Sequence, residues 1–150
     1  MPASQEAING AFGLLAIKEG DVVWDLGCGD ARVLIDFWRK QPRASYIGME
    51  IKPFPYLLAI FNVWRSGARK AIKIRRGDFF KEDFASANAI YMYLFPKLMD
   101  QLLPKLEREL PQGAVLVSPT FRFSQKKEGE IMQLKPQRGN IIKTLNLYRF

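Results

Sequence analysis

The sequence predicts one α/β domain, residues 1–150, built on a doubly wound, mostly parallel sheet of seven strands with helices on both faces. Three observations predict this fold class. Short apolar runs alternate with amphipathic stretches along the chain, as expected when strands are joined by right-handed crossover helices. Apolar residues make up 48% of the 150 residues, which is enough to build a core. A glycine turn follows the first apolar run, at the position where such sheets bind ligands.

The first half of the chain predicts three strands and two helices. Val33, Leu34, Phe37 and Trp38 form one apolar stripe at helical spacing, so the stretch after the glycine turn is expected to be a helix. A second helix has Pro53 in its first turn and Gly67 just past its end. The predicted strands are Asp21–Leu26, Ser45–Glu50 and Ala71–Arg76, and the predicted helices are Ala31–Lys40 and Pro53–Ser66.

The second half predicts a central strand, a helix and three further strands. Ala87–Phe95 is apolar without alternation, which is typical of a parallel strand covered on both faces. Pro96–Leu110 has leucines four residues apart, and Pro104 within it predicts either a kink or two short helices. The remaining predicted strands are Ala114–Ser118, Glu130–Lys135 and Ile141–Phe150, with the turn-rich link Pro136–Asn140 between the last two.

Composition excludes several classes of function. The chain has no His, which removes histidine-based catalysis, histidine metal sites and histidine pH switches. Its single Cys excludes disulfide frameworks and CxxC zinc sites and favours a reducing compartment. The longest apolar run, Ala89–Phe95, is far shorter than a membrane span, and Met1–Glu6 lacks the basic start of a signal peptide. We therefore expect a cytoplasmic protein with no metal and no membrane span; the sequence leaves the oligomeric state open.

The net charge of +8 is concentrated in two segments. Residues 51–77 contain seven basic residues and no acidic one, and residues 121–150 contain seven basic and two acidic residues. Such an excess can attract nucleic acid, or it can simply keep a surface solvated. We favour the solvated surface, because no RNA-binding motif with interleaved aromatic residues accompanies these charges.

The glycine turn indicates a ligand that carries positive charge. Gly27 and Gly29 allow a tight turn and close approach of the backbone to a ligand. Arg32 stands where a dinucleotide fingerprint needs a small residue, and no phosphate-loop Lys-Ser/Thr follows. Asp25 and Asp30 flank the turn and would repel a pyrophosphate. S-adenosylmethionine fits better, because it has an ammonium, a sulfonium and a carboxylate that helix amides can bind.

Three further residues follow successive strands where an adenosine ligand needs them. Glu50 ends the second strand, 21 residues after Gly29, and its carboxylate can accept hydrogen bonds from both ribose hydroxyls. Asp78 and Phe79 follow the third strand. Asp78 can accept a hydrogen bond from the adenine amine, and Phe79 can cover the face of the ring.

These motifs resemble the seven-strand class I S-adenosylmethionine-dependent methyltransferases, with the Rossmann-like methyltransferase fold. The sequence is most similar to the small protein-lysine methyltransferases of archaeal and mitochondrial type, through DLGCGDAR, GME, GDFF, YMYLF and the segment LPKLEREL. The resemblance covers about residues 20–123 and implies an enzyme that transfers methyl groups to protein lysines. It implies that Asp25, Gly27 and Gly29 bind the methionine end, that Glu50 binds the ribose, and that Asp78 and Phe79 bind the adenine. Asp30 lies in the matched acidic turn, and the resemblance implies that Tyr93, on an aromatic position of the fourth strand, is near the place where the methyl group would sit.

A lysine acceptor must lose its proton before it can react. Tyr91, Tyr93 and Phe95 can form a dry aromatic channel that favours the neutral amine, if they cluster at the end of the fourth strand. The alternative is that they simply pack in the core of a central strand. Cys28 is interpreted as a small filler of the turn rather than a nucleophile. Two other functions remain open: an RNA methyltransferase, suggested by the charge of residues 51–77, and a non-catalytic module that binds S-adenosylmethionine.

Overall fold

A computed structural model describes residues 3–135, 138 and 141–150. Its seven strands and four α-helices follow the chain order that the sequence predicts, except for one helix at the N-terminal end. The elements are α1 (Gln5–Leu15), β1 (Val22–Leu26), α2 (Arg32–Lys40), β2 (Ser45–Met49), α3 (Pro53–Ser66), β3 (Ile72–Arg75), β4 (Ala89–Met92), α4 (Pro96–Glu109), β5 (Val115–Pro119), β6 (Glu130–Gln133) and β7 (Thr144–Arg149).

The strands form one mixed sheet in the order β3-β2-β1-β4-β5-β7-β6. Strands β1 to β5 are parallel, and β7 pairs antiparallel with both β5 and β6. The chain runs outward from β1 to β3 and then returns to place β4 on the other side of β1. The order therefore reverses beside β1, as a doubly wound sheet requires. The predicted fold class is confirmed, and β4 is the central strand.

Each face of the sheet carries its own hydrophobic core. Helices α1, α2 and α3 cover one face of the sheet. The core on this face includes Phe37 of α2, Tyr46 of β2 and Tyr91 of β4. Helix α4 and the segment around Phe84 cover the other face, against Trp24 and other strand residues. Among the described residues, no helix is long and apolar enough to cross a bilayer.

Helix α1 was not predicted by the sequence analysis, which assigned no element before Asp21. Its buried stripe is narrow and combines two alanines with two larger aliphatic residues: Ala7, Ala11, Ile8 and Leu15. The Ser4 hydroxyl caps the helix by accepting a hydrogen bond from the Ala7 amide at 3.2 Å. A Cβ at Gly10 would come within 2.8 Å of Leu145, so a glycine lets the helix pack closely on β7. The stripe depends on this close packing, which local periodicity does not reveal.

Helix α4 continues through Pro104 as one helix, so the alternative of two short helices is wrong. Met99, Leu102, Leu103 and Leu106 are buried against the sheet on both sides of the proline. Burial of this face holds both halves in one helix despite the missing backbone N–H. Strand β7 begins at Thr144, three residues later than predicted. Apart from Arg138, the predicted link over 136–140 lies outside the described residues.

Candidate active site

A cleft of about 380 Å³ opens beside the carboxyl ends of β1 and β4, where the strand order reverses. It contains five of the eight residues proposed from the sequence: Asp25, Gly27, Gly29, Asp30 and Tyr93. The rest of its lining comes from the N-terminal segment, the glycine turn, α2, α3, β4 and the residues before β7: Ala3, Cys28, Arg32, Val33, Phe54, Pro55, Leu58, Tyr91 and Ile142. The parallel strands bring these distant segments to one edge of the sheet.

The glycine turn leads from β1 into α2 through left-handed backbone conformations. Gly27 has φ of +86° and Gly29 has φ of +55°. The amides of Gly27 and Cys28 both donate to the Met49 carbonyl at 2.9 Å, which ties the turn to the end of β2. A Cβ at Gly29 would meet no described atom within 4 Å, so the backbone there is open to a ligand. Ala31 also has positive φ, +69°, which costs a residue with a side chain about 1 kcal/mol.

Glu50 is fixed in place by two backbone amides. Its Oε1 accepts a hydrogen bond from the Gly29 amide at 3.0 Å, and its Oε2 accepts one from the Lys52 amide at 3.1 Å. Each carboxylate oxygen keeps a second acceptor site. Glu50 is not among the residues that line the cleft, but its bond to Gly29 places it at the border of the turn. A carboxylate held in this way is already oriented to bind two hydroxyl groups.

Asp25 is the most deeply buried carboxyl group of the site. It is 2% exposed, and it forms no ion pair within the described part of the chain. Burial raises its pKa to about 8, with further contributions from the negative charges of Glu50 and Asp30. Asp30 is only partly buried, and its Oδ1 accepts from the Arg32 amide at 3.1 Å. Asp25 and Asp30 thus line the cleft, Glu50 lies at the border of the turn, and a bound cation would relieve the repulsion among these three carboxyl groups.

Asp78 and Phe79 do not line the cleft. They begin a short 3₁₀ helix after β3, Phe79–Lys81, in which the Asp78 carboxylate caps the Phe80 amide at 2.8 Å. The rings of Phe79 and Phe80 lie 5.1 Å apart. Both proposed adenine residues therefore follow β3, which is separated from β1 by β2 in the sheet. Their role in adenine binding stays a prediction.

Aromatic side chains form the side of the cleft at the end of β4. Tyr91 is buried and meets Phe37 edge to face at 6.0 Å, so this ring is also part of the core. Tyr93 is partly buried and stacks on Phe121, with ring centroids 5.6 Å apart and planes 26° apart. Phe95 does not line the cleft, is 71% exposed and tilts against the same Phe121 at 5.6 Å. Tyr93 and Phe95 are therefore joined through Phe121, whereas Tyr91 packs in the core, as the alternative to an aromatic channel of all three rings expected.

Several residues of the site were missed by the sequence analysis. Phe121 follows β5, and an aromatic residue just after a strand is the signal that would have placed it at this edge. Phe54, Pro55 and Leu58 come from the first turns of α3, which begins three residues after Glu50. Ala3 precedes α1, so its position in the lining depends on a helix that was not predicted.

Cys28 fills space beneath the turn. A Cβ at Gly48 would lie 2.8 Å from the Cys28 sulfur, so the glycine of β2 makes room for the thiol. The pKa of this thiol is raised well above its usual range, mainly by burial and secondarily by the nearby negative charge of Asp25. A thiol that stays protonated is a poor nucleophile, which supports its interpretation as a filler.

Comparison with known families identifies the chain. The family model named "ANTKMT methyltransferase domain" matches residues 25–130, which include the glycine turn, Glu50 and the aromatic end of β4. The chain belongs to this methyltransferase family.

Curated relatives of this methyltransferase fall into two length classes. This chain is 29% identical over 148 residues to a "Protein-lysine N-methyltransferase" of Saccharolobus islandicus, and the match covers 99% of this chain and 91% of the relative. It is 30% identical over 123 residues to a human lysine N-methyltransferase named for an ATP synthase subunit, with 82% of this chain and 52% of the relative covered. The mouse "Adenine nucleotide translocase lysine N-methyltransferase" is 31% identical, and the match covers 79% of this chain and 51% of the relative. The chain thus spans about half the length of these mammalian relatives.

A solved structure also resembles this methyltransferase along its whole length. It is an RNA methyltransferase from Salinibacter ruber in complex with S-adenosyl-L-homocysteine, with a TM-score of 0.90 and 28% sequence identity. The match covers 99% of this chain and 93% of that one. The relatives therefore agree on methyl transfer and differ in the acceptor that their names give.

Proposed function

We propose that this methyltransferase uses S-adenosylmethionine to methylate lysine side chains of proteins. The observation that carries the proposal is the composition of one cleft, in which an acidic floor meets an aromatic wall. The floor suits the positively charged cofactor, and the wall suits an amine acceptor. The archaeal relative named as a protein-lysine N-methyltransferase matches over 99% of this chain, which supports the same acceptor.

The residues of the cleft fit the cofactor. Asp25, which has no cation partner among the described residues, is proposed to bind the positively charged end of the cofactor, and its position in the cleft lining and its burial support this role. The open backbone at Gly29 leaves room beside the turn. Glu50, held by the Gly29 and Lys52 amides, has free acceptor sites for the two ribose hydroxyls. In this proposal Asp78 and Phe79 hold the adenine, at the end of the cofactor opposite its methionine part.

The cofactor, when bound, supplies a methyl group on a sulfonium that is already activated toward displacement. The protein therefore contributes alignment and exclusion of water, and alignment alone is worth about 7–11 kcal/mol. Tyr93, stacked on Phe121, positions the acceptor amine in line with the methyl group. The apolar surroundings lower the pKa of a lysine ammonium, whose free value is about 10.4, and so favour the reactive neutral amine. With no His in the chain, the simplest route for the proton is release to water.

Incubation with methyl-labelled S-adenosylmethionine tests the acceptor. Purified protein is mixed in parallel with protein extract and with total RNA, and the label is followed into each fraction. We expect label in protein, at residues identified as methyllysine by mass spectrometry, and labelling that is at least about tenfold slower after Tyr93→Ala. Label that appears only in RNA, or binding of the cofactor without any labelled acceptor, would contradict the proposal.

An RNA acceptor is the second candidate. It is favoured by the Salinibacter ruber structure and by the seven basic residues of 51–77. The lining of the cleft argues against it, because Asp25, Asp30, Phe54 and Leu58 dominate there and Arg32 is the single basic residue among the described residues that line it. The labelling experiment separates the two acceptors directly.

We also propose a cytoplasmic location. The support is the single buried thiol, Cys28, which has no disulfide partner and suits a reducing compartment. Cell fractionation followed by immunoblotting checks this location; recovery of the protein from an oxidising compartment would contradict it.

A further inference from the structure

The outward side of helix α3 carries an unusual density of apolar side chains. Phe54, Leu57, Leu58, Phe61 and Trp64 lie on the solvent-facing side of the helix at spacings of three and four residues; we call these five residues the α3 outer face. Phe54 is 76% exposed, Leu57 62% and Trp64 61%. The opposite side is held in the core by Ala59 and Val63. A continuous apolar surface of this kind on a folded protein marks a binding surface.

Basic residues flank the α3 outer face on both sides. On one side, a hollow between α2 and α3 is lined by three arginines and one carboxylate: Arg32, Arg39, Arg65 and Asp30. On the other side, Trp64 shares a second hollow with Arg69, which precedes β3, and with Lys73 of β3. The segment 51–77, which contains the whole helix, has seven basic and no acidic residues. The apolar face is therefore bordered by positive charge.

The combination of an apolar helix face with cationic borders matches the surface of an anionic lipid bilayer. Aromatic and leucine side chains enter the headgroup region while lysine and arginine bind lipid phosphates. A second copy of this chain would bring two strongly basic segments face to face, and these repel each other. RNA would use the cations and could stack on aromatic rings, but Leu57 and Leu58 offer it no ring to stack on.

We propose that the α3 outer face docks this protein on anionic membranes. Phe54 and Leu58 also line the catalytic cleft, so the membrane-facing surface runs directly into its mouth. Docking would present the cleft to acceptors at the bilayer surface. The proposal concerns lipid binding and stands whether the acceptor is a lysine or RNA.

Co-sedimentation with vesicles tests the proposal. The protein is mixed with vesicles of phosphatidylcholine alone, or of phosphatidylcholine with phosphatidylglycerol, at low and at high salt. We expect binding to the anionic vesicles that weakens with salt. The double variant Phe61→Gln/Trp64→Gln changes only residues outside the cleft lining, and it is expected to lose at least about tenfold in vesicle affinity. Arg65→Gln is expected to reduce binding only to the anionic vesicles.

Matched controls distinguish docking from general damage. Ile131→Gln removes an apolar residue that is 44% exposed on β6, and Lys143→Gln removes an exposed cation outside the segment 51–77. Both are expected to bind vesicles like the parent protein. All variants are expected to keep the parent melting temperature and the parent affinity for S-adenosylmethionine. Vesicle binding and cofactor binding are therefore measured independently, and a failure of the methyltransferase proposal would appear only in the cofactor measurement. The inference is overturned by absence of vesicle binding, by equal losses in the controls, or by a dimer in light scattering that the double variant abolishes.

Discussion

Replacing Asp25 by Asn is expected to stabilise the ligand-free protein while removing its ability to bind S-adenosylmethionine. The carboxyl group is 2% exposed and faces Glu50 and Asp30, and its pKa is raised from 3.8 to about 8. At neutral pH the folded protein must therefore hold a proton that the unfolded chain releases. Asparagine has no such proton to hold, so Asp25→Asn removes this cost.

The magnitude follows from the pKa shift. Stability changes by about 1.4 kcal/mol per pH unit wherever one state binds one more proton than the other. For Asp25 the folded state binds more protons between pH 3.8 and about 8, so its contribution to the free energy of unfolding is most favourable below pH 3.8 and declines as the pH rises through the folded pKa of about 8. At pH 7 the expected gain in Asp25→Asn is at most about 4 kcal/mol, and it shrinks toward zero near pH 4.

Urea unfolding of the parent and of Asp25→Asn, measured between about pH 5 and 8, tests this reasoning. Asp83→Asn is the matched control, since that residue lies away from the cleft and its carboxylate caps the Ala85 amide. A difference between parent and Asp25→Asn that does not change with pH, or that matches the Asp83→Asn control, would refute it.

Binding of the cofactor gives a second readout of the same group. A cation beside Asp25 draws its pKa down, so binding at pH 7 should release up to about 0.9 proton per site. Calorimetry in buffers of different ionisation enthalpy measures this number. Binding without proton release would place the positive charge of the cofactor elsewhere.

Three further predictions concern other parts of the site and core, and the last of them has a glycine control in α1. Tyr93→Ala should lower turnover at least about tenfold with a smaller loss of cofactor affinity, measured by kinetics and calorimetry; equal losses in both would indicate a packing role. Glu50→Gln should weaken cofactor binding roughly tenfold to a hundredfold, because it removes charged hydrogen bonds to the ribose, and unchanged affinity in calorimetry would exclude that role. Gly48→Ala should lower the free energy of unfolding by about 1–3 kcal/mol through overpacking, because a Cβ there meets three side chains at 3.0 Å or less. Gly13→Ala, where a Cβ meets nothing described within 4 Å, should stabilise α1 by about 0.5–1 kcal/mol; a similar loss in both glycine variants on urea unfolding would show that packing is not the cause.

Local patterns in the sequence were sufficient for most of the fold. Helix α3 has the bounds that Pro53 and Gly67 predicted, and β4 is the central strand that its uninterrupted apolar run indicated. Pro104 was harder to interpret, because whether a proline divides a helix depends on how firmly both halves are held by the sheet. Helix α1 was missed for a related reason, since its narrow buried stripe becomes a core face only where Gly10 allows close packing on β7.

The features of the site also fall into those that local sequence predicts and those that depend on tertiary contacts. Sequence patterns predicted the glycine turn, the acidic residues around it and the aromatic end of β4, because residues that follow parallel strands meet at one edge of the sheet. Tertiary structure alone decided that Phe121 stacks on Tyr93, that Phe54 and Leu58 reach the cleft, and that Asp78 and Phe79 lie outside its lining. It also buried Asp25 beside two other carboxyl groups. Strand order and turns follow from local backbone preferences, whereas burial, ring contacts and pKa values depend on what distant segments bring to the same place.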